Sequence, residues 1–447
     1  MTYITFSFDT EDYVNPVGAD DILRIAKLLK NHGITGCFNV VARLAQALKK
    51  WGREDVIAAL RDHEIETHSL GHSYHPTINE YTDLEDYDEA LRLFLNEETE
   101  CLEILKDILG VDMVYAACPP GNSTSYVAHY GYDMLGIPCY DGDNLFDKKL
   151  HRPVSCCNLL CLEYVVTLVE KLEVSDEAEI LKMLDEIAET DYVIICNHPQ
   201  NFSLTQWWDG LNFKGKNTPE EEYIFSARRT KEEREELFRK FDFLINAIKN
   251  DDRFKIVTYK DIAEIYGGEE RVITKETLKD IKTQLDGYFF PVTTPDSYCI
   301  SDVLLACRDI LLGKEYHNCG KVYGFLNTPY SITDKITLTA DEVKSAATQI
   351  GDGFLPEKLT IGDKIIGPAD WLRAALEIVS GADKVTVTPN TWQIDLDQFP
   401  FYRDLSYTGE WKWVHSPDFK DNFLSHRFRL QSWTIRLPKN TPRKVFF

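Results

Sequence analysis

The sequence predicts an α/β protein built on a parallel sheet, followed by a second, α+β part. Three observations predict it. Short apolar, strand-like runs alternate with amphipathic helical segments through roughly the first 265 residues, the pattern of a parallel sheet flanked by helices, open or closed into a barrel. Side chains able to do chemistry (Asp9, Asp12, His68, His72, Asp141 and His198) each follow one of those runs, and in such folds reactive groups gather at the C-terminal strand ends. Finally, the alternation stops at Gly267-Gly268-Glu269-Glu270, which reads as a linker.

Taken in order, residues 3–8 alternate with period two and read as the first strand. Residues 20–32 have helical spacing with acidic residues first, and Gly33 is placed to stop them. A strand follows at 35–41, a helix at 56–61, and a strand at 64–67 that runs into a histidine pair. Residues 83–109 form a long amphipathic helix, capped by Thr82 or Asp83 and closed at Gly110. Then come a strand at 114–117, a Pro119-Pro120-Gly121 loop, a helix at 175–189 and a strand at 192–196. A charged helix at 231–250, a strand at 254–258 and a closing helix at 259–266 complete a domain of residues 1–267.

The domain of residues 270–447 reads differently. Segments 301–312 and 368–379 are helical, bounded by Ser301 and Gly367, and 385–387, 393–396 and 431–437 are strand-like. Its late aromatics (Trp392, Tyr402, Tyr407, Trp411, Trp413 and Trp433) sit at spacings that suit a core better than a sugar-stacking surface.

The chain has 447 residues, long enough for two or three domains, and 44% are apolar, ample for real cores. Its 49 basic and 73 acidic side chains leave a net charge of −24. Such a surface repels phosphate backbones, so neither nucleic acid nor an anionic membrane is expected as a partner. No stretch reaches the roughly 18 uninterrupted apolar residues that span a bilayer. The first residues lack a basic leader and read as a strand, so a cytoplasmic location is expected. The eleven cysteines are irregularly spaced, many in apolar surroundings, and read as buried thiols rather than a disulfide framework.

His68-Ser-Leu-Gly-His72 places two imidazoles at i,i+4, which on a helical turn would share one face and reach a single ion. Upstream, Asp9-Thr-Glu-Asp12 puts three carboxylates at a strand end. One can bind a cation while another stays free to take a proton; Glu11 could substitute for either Asp9 or Asp12, and spacing alone does not choose. His198 ends the apolar run Val193-Ile-Ile-Cys-Asn-His198, and Pro199 breaks the strand there. A lone imidazole in that company suits a general acid.

These motifs resemble, over about residues 3–265, the NodB-type polysaccharide deacetylases of carbohydrate esterase family 4. Phe8-Asp9-Thr-Glu-Asp12 is similar to the family's first motif, which implies Asp9 as base and Asp12 as metal ligand. His68-Ser-Leu-Gly-His72 fits the H-[ST]-x-x-H motif and implies two further ligands. Cys196-Asn-His198 is similar to the final L-x-H motif and implies His198 as the acid. Trp207, Trp208 or Leu204 would wall the acyl group. The third motif departs: Ala117-Cys-Pro-Pro120-Gly121 keeps prolines and glycine without the Arg that orients the base. Arg152 or the Arg228-Arg229 pair is the available substitute. Asp141 resembles a fourth-motif position.

The resemblance implies a distorted (β/α) barrel and a hydrolase that removes an acyl group from an amino sugar or polysaccharide with one divalent metal. Zn²⁺ suits a carboxylate and two imidazoles best, and Co²⁺, Ni²⁺, Mn²⁺ or Fe²⁺ also fit. The expected partner is a carbohydrate or small amide. A cyclic-amide hydrolase on the same fold, or a catalytically impaired carbohydrate-binding relative, is the alternative.

Overall fold

The computed structural model describes residues 1–122, 125–142, 151–162, 164–268, 270–285, 289–389 and 415–441. Two compact units result. The first takes in Met1–Pro153, Leu159–Gly267 and, late in the chain, residues 415–424; the second takes in Val154–Asn158, residues from Gly268 to 389, and 425–441.

In chain order the strands and helices up to the linker are β1 (Thr2–Thr10), α1 (Gly18–Asn31), β2 (Cys37–Val40), α2 (Ala42–Lys50), α3 (Glu54–Leu60), β3 (Glu64–Thr67), α4 (Ile78–Thr82), α5 (Tyr87–Leu109), β4 (Ala116–Ala117), α6 (Tyr126–Met134) and β5 (Cys139–Asp141). They continue as β6 (Val154–Cys156), which clusters with the second unit, β7 (Leu159–Leu162), β8 (Tyr164–Thr167), α7 (Leu168–Val174), α8 (Glu177–Ile187), β9 (Tyr192–Asn197), α9 (Trp208–Asn212), α10 (Lys231–Lys249), β10 (Phe254–Ile256) and α11 (Tyr259–Tyr266). The sheet of the first unit runs β7-β5-β4-β3-β2-β1-β9-β8. Its pairings are parallel, as the strand–helix alternation requires. Strand β10 lies beside Thr2–Ile4 of β1, while β2 pairs with Ser7–Thr10. No pairing among the described residues closes this path into a ring.

Alternation along β1 divides the core in two. Ile4, Phe6 and Phe8 join Ile25 and Leu29 of α1 and Phe238, Phe241 and Leu244 of α10 in one cluster. On the opposite face, Cys37, Ala116, Cys139, Tyr192, Ile194, Cys196 and Tyr259 form a second cluster. Period two therefore turns Thr5, Ser7 and Asp9 toward that second face. Gly36 lets β2 approach α1 closely, since a Cβ there would stand 2.7 Å from Leu29 Cδ1.

Several local expectations shift. Gly33 follows α1 at φ +69 and Gly110 closes α5 at φ +75, both as predicted. The cap of α5 is neither Thr82 nor Asp83 but Asp86, whose carboxylate accepts from the N–H groups of Asp88 and Glu89. The Asp83 carboxylate instead accepts from the backbone of Asn422, Phe423 and Leu424. Helices α2, α4, α6, α7 and α9 were not anticipated.

In the second unit, helices span Ile300–Leu311 and Pro368–Val379, the latter starting after Gly367 as expected. The first of these is capped at Cys299 rather than Ser301. Lys384–Val387 is a strand, paired antiparallel with Ile336–Thr339. The expected strand at 431–437 is a 3-10 turn at Ser432–Thr434 instead. There the N–H groups of Thr434 and Ile435 bond back three residues, and Thr434 Oγ1 donates to Gln431 O at 2.8 Å. Trp433 is buried in that turn, which agrees with a core role. The strand expected at 393–396 and the other five late aromatics lie outside the described residues.

All ten cysteines other than Cys319 are buried, and none is in a disulfide. Among the described residues no helix is long and apolar enough to cross a membrane. Phe241 is fully buried and meets Phe6, Phe8 and Phe202 at 6.1, 6.2 and 5.9 Å between ring centroids. Phe241→Ala is expected to lower unfolding free energy by about 3–5 kcal/mol in urea titration, because it removes a fully buried ring that packs on Phe6 and Phe8 and leaves a cavity between the sheet and α10.

Candidate active site

The candidate groups gather at the C-terminal edge of the sheet. Asp9 ends β1, Asn39 lies in β2, His68 follows β3, Cys118 follows β4, Asp141 ends β5, and Cys196 and His198 close β9. Parallel neighbours in register bring these ends together although the residues are far apart in sequence.

The two motif histidines do not lie on a helix. The chain from Ser69 to His72 is an irregular turn with positive φ at Ser69 (+68) and His72 (+53), conformations that non-glycine residues adopt at a cost. The N–H of His72 bonds Ser69 Oγ at 3.1 Å, and Tyr13 Oη donates to Gly71 O at 3.1 Å, which hold the turn. Both Nε2 atoms thereby face one carboxylate oxygen, Glu11 Oε2, at 3.2 Å from His68 and 2.8 Å from His72.

Asp12, the expected companion of these imidazoles, has other partners in this structure. Its Oδ1 accepts from the N–H groups of Val14 and Asn15, both at 2.9 Å, and its Oδ2 accepts from Asn15 Nδ2 at 2.8 Å. Asp12 is thus the acceptor of a tight turn. Strand geometry ends at Thr10, so alternation no longer dictates which of the next two acids points inward. Glu11 does. Its other oxygen, Oε1, accepts from Gln200 Nε2 at 2.9 Å and Trp208 Nε1 at 3.0 Å.

The two neighbouring carboxyls titrate apart. Burial opposes ionisation of Glu11, but the charge of His72 and hydrogen bonds from His68 and His72 hold its pKa well below the ordinary value. Burial pushes Asp12 up to about 7, against the opposing pull of the Asn15 and Val14 N–H groups.

The outer nitrogens of the imidazoles explain what the inner ones can do. His68 Nδ1 is hydrogen-bonded to Cys118 O, an acceptor only, so that nitrogen carries the proton. His72 Nδ1 lies 2.7 Å from Ser73 Oγ, which itself donates to Asp209 Oδ2 at 2.8 Å. In their neutral forms both rings therefore present bare Nε2 lone pairs to a carboxylate oxygen. Three acceptors converging on one point need a cation or additional protons between them. Outer nitrogens fixed by a carbonyl or a hydroxyl–carboxylate pair are also the usual support of metal-ligating histidines. The residues Glu11, His68 and His72, all buried, fit a single divalent ion.

Asp9 sits beside this cluster on the inner face. Its Oδ1 accepts from Asn39 Nδ2 at 2.8 Å and lies 3.5 Å from Cys118 Sγ. Its Oδ2 lies 3.6 Å from Cys196 Sγ and 3.4 Å from His198 Nε2. Burial pushes the Cys118 thiol well up, so it reaches Asp9 as a neutral donor. No guanidinium meets Asp9 among the described residues. Arg152 pairs with Asp191, before β9 and at the far end of the sheet. Arg229 is bound to Asn201 O and Glu173, and Arg228 is exposed. None of them replaces the missing Arg.

Trp207 stands edge-on to His198, with centroids 4.7 Å apart, and Trp208 lies against His72 at 5.4 Å. Asp141 is buried and accepts from Tyr259 Oη, which also lies 2.8 Å from Ser7 Oγ. Ser7 Oγ in turn accepts from Asn39 Nδ2 at 2.8 Å. Pro120 and Gly121 form a short 3-10 turn after Cys118, with Gly121 exposed at φ +57. Asn39, Gln200, Ser73, Asp209 and Tyr259 were missed by the sequence. Only Asn39 carried a signal, as the polar residue in phase with Cys37 on the inner face of β2.

No protein-family model and no curated protein matches the chain. Over about 59% of its length it is similar to solved structures of family 4 polysaccharide deacetylases. A variant of the peptidoglycan deacetylase of Bacillus subtilis is 16% identical, with 59% of this chain and 91% of that one covered and a TM-score of 0.32. A family 4 acetyl xylan esterase from Clostridium thermocellum, solved with a cobalt ion, is 14% identical over 60% and 93% of the two chains, with a TM-score of 0.33. The 4-alpha-glucanotransferase of Thermococcus litoralis is 8% identical, with a TM-score of 0.41; 59% of this chain covers 40% of that one.

Behind the site, His75 ties the loop after His72 in place. Its Nδ1 meets Glu80 Oε2 at 2.8 Å and its Nε2 meets Phe213 O at 2.9 Å. Both partners are acceptors, so both bonds form only with the imidazolium. Burial works against that charge, but the bond to Glu80 raises the His75 pKa above 6.5. Glu80 is lowered from 4.5 to about 2: burial opposes this, and His75 and the Thr77 N–H outweigh it. The raised His75 pKa gives stability that is complete below pH 6.5 and is lost as pH rises through the folded value. The lowered Glu80 pKa gives stability that is complete above pH 4.5 and is lost as pH falls toward 2. Glu80→Gln is therefore expected to lower Tm most between pH 4.5 and 6.5, with the difference narrowing on both sides, as read by thermal melts across pH.

Proposed function

We propose that the protein is a divalent-metal-dependent hydrolase that removes an N-acetyl group from an amino sugar or polysaccharide. The work would lie within residues 1–267, folded as a distorted barrel of the NodB type. One observation carries the reading: the Nε2 atoms of His68 and His72 converge on Glu11 Oε2, beside the facing pair Asp9 and His198.

In this reading Glu11, His68 and His72 hold the ion, for which Zn²⁺ is the best match to the donor set. Such an ion, when bound, supplies a Lewis acid that polarises an acyl carbonyl and acidifies water. Asp9 accepts the proton of the attacking water at Oδ2, the oxygen not held by Asn39. His198 donates from Nε2 to the departing amine, and Trp207 beside it offers an apolar wall to a methyl group. Gln200 and Trp208 keep Glu11 aimed inward, and Asp12 stays a turn acceptor.

The partners of Asp9 support a second reading. Asn39 and two thiols surround Asp9 where the family motif has a guanidinium, and no Lys or Arg meets it among the described residues. That favours an impaired, carbohydrate-binding relative, or a hydrolase of cyclic amides on the same fold. Metal-dependent acetate release from an N-acetylated amino-sugar oligomer separates these readings from the first.

His198→Ala is expected to keep its metal on elemental analysis and to lose about 10²–10⁴-fold in acetate release. Unchanged turnover would remove His198 from the mechanism. Glu11→Gln is expected to lose the ion on dialysis, whereas Asp12→Asn should retain it. The reverse result would restore Asp12 as the ligand.

A further inference from the structure

Beside the first set of donors lies another with different chemistry. Asp9, Cys196 and His198 bring a carboxylate oxygen, a sulfur and an imidazole nitrogen within 4.8 Å of one another. Both partners address the same atom, Asp9 Oδ2, at 3.4 Å from His198 Nε2 and 3.6 Å from Cys196 Sγ. Donors at ordinary zinc bond lengths of about 2.0–2.3 Å stand roughly 3.3–3.7 Å apart along the edges of a tetrahedron. The two separations match those edges. The nitrogen–oxygen separation is also longer than a good hydrogen bond. A third group, Asp9, His68 and Cys118, is also compact, but it shares His68 with the first set. The Asp9–Cys196–His198 group uses no atom of Glu11, His68 or His72.

We propose that Asp9, Cys196 and His198 form a second cation site, selective for soft divalent ions such as Zn²⁺, next to the Glu11–His68–His72 site. The sulfur gives it that preference, since thiolate favours Zn²⁺ over Mg²⁺ or Ca²⁺. Binding displaces the thiol proton of Cys196 to solvent, so the ion gains a thiolate ligand. The carboxylates of Asp9 and Glu11 and that thiolate together offset most of the charge of two neighbouring ions, and paired sites about 3.5–4 Å apart are common in hydrolases. His198 Nδ1 has no hydrogen-bond partner among the described residues. Without that outer support the second site binds more weakly than the first.

The regulatory consequence rests on the function proposed above. An ion held by Asp9 and His198 occupies the base and the acid at once, so excess zinc silences turnover. The second site itself does not depend on that reading.

Cobalt titration of the chelator-stripped full chain tests it. Thiolate bound to Co²⁺ gives an intense near-ultraviolet charge-transfer band, which carboxylate and imidazole ligands do not. The first equivalent should bring visible bands alone, and the second should add the thiolate band. Cys196→Ala should lose that band and stop at one equivalent, and His198→Ala should bind the second ion more weakly. The absence of any thiolate band in the unaltered protein at saturating Co²⁺ would overturn the site without reference to a variant's folding. Persistence of the band in Cys196→Ala with its loss in Cys118→Ala would also overturn it. Acetate release is read separately in rising Zn²⁺. If no metal ever supports release while the thiolate band appears, the function fails and the site stands. If release occurs and excess Zn²⁺ leaves it untouched, the silencing is wrong.

Discussion

Every residue of β1 from Ile4 to Thr10 is buried, and that constraint shapes the rest. A strand covered on both faces must satisfy two environments in alternate residues. Phe6 and Phe8 serve one by packing beneath α10, while Ser7 and Asp9 serve the other through Asn39 and Tyr259. A carboxylate at such a position pays for desolvation unless donors surround it. The inner face answers with an amide, two thiols and an imidazole around Asp9, and two imidazoles, an amide and an indole around Glu11. What looks like catalytic equipment is also the condition for burying these acids.

The two acids are treated unequally. Charged-hydrogen-bond geometry keeps Glu11 ionised, whereas Asp9 is held mostly by neutral groups. Neutral donors fix direction as well as a guanidinium would, because Asn39 is itself anchored on Ser7.

How much of this was legible in the sequence follows from where periodicity holds. Strands β1 and β9 were readable because alternation and apolar runs extend through them, and the histidine motif was readable as chemistry. The choice of Glu11 over Asp12 was not, since it falls just past the last strand residue, where a turn sets side-chain direction. The cap of α5 was misplaced for a related reason. Thr82, Asp83 and Asp86 are all suitable by type, and a tertiary contact with residues 422–424 claims Asp83. Gln200 left almost no trace, because an amide carries no charge pattern and no strand phase marks its position. The strand expected at 431–437 shows the remaining weakness: a short apolar stretch has too few residues to distinguish one period from another.

The hold of Asp83 on Asn422, Phe423 and Leu424, with Glu80 accepting from the Ser416 N–H, gives the first unit a late return of chain from more than 140 residues beyond the linker at Gly267. A fragment cut at the linker would leave Asp83 without the backbone donors of 422–424 and Glu80 without the Ser416 N–H, next to the loop that carries His75. Recombinant boundaries drawn from linear order would thus split a unit that folding assembles from widely separated stretches of chain.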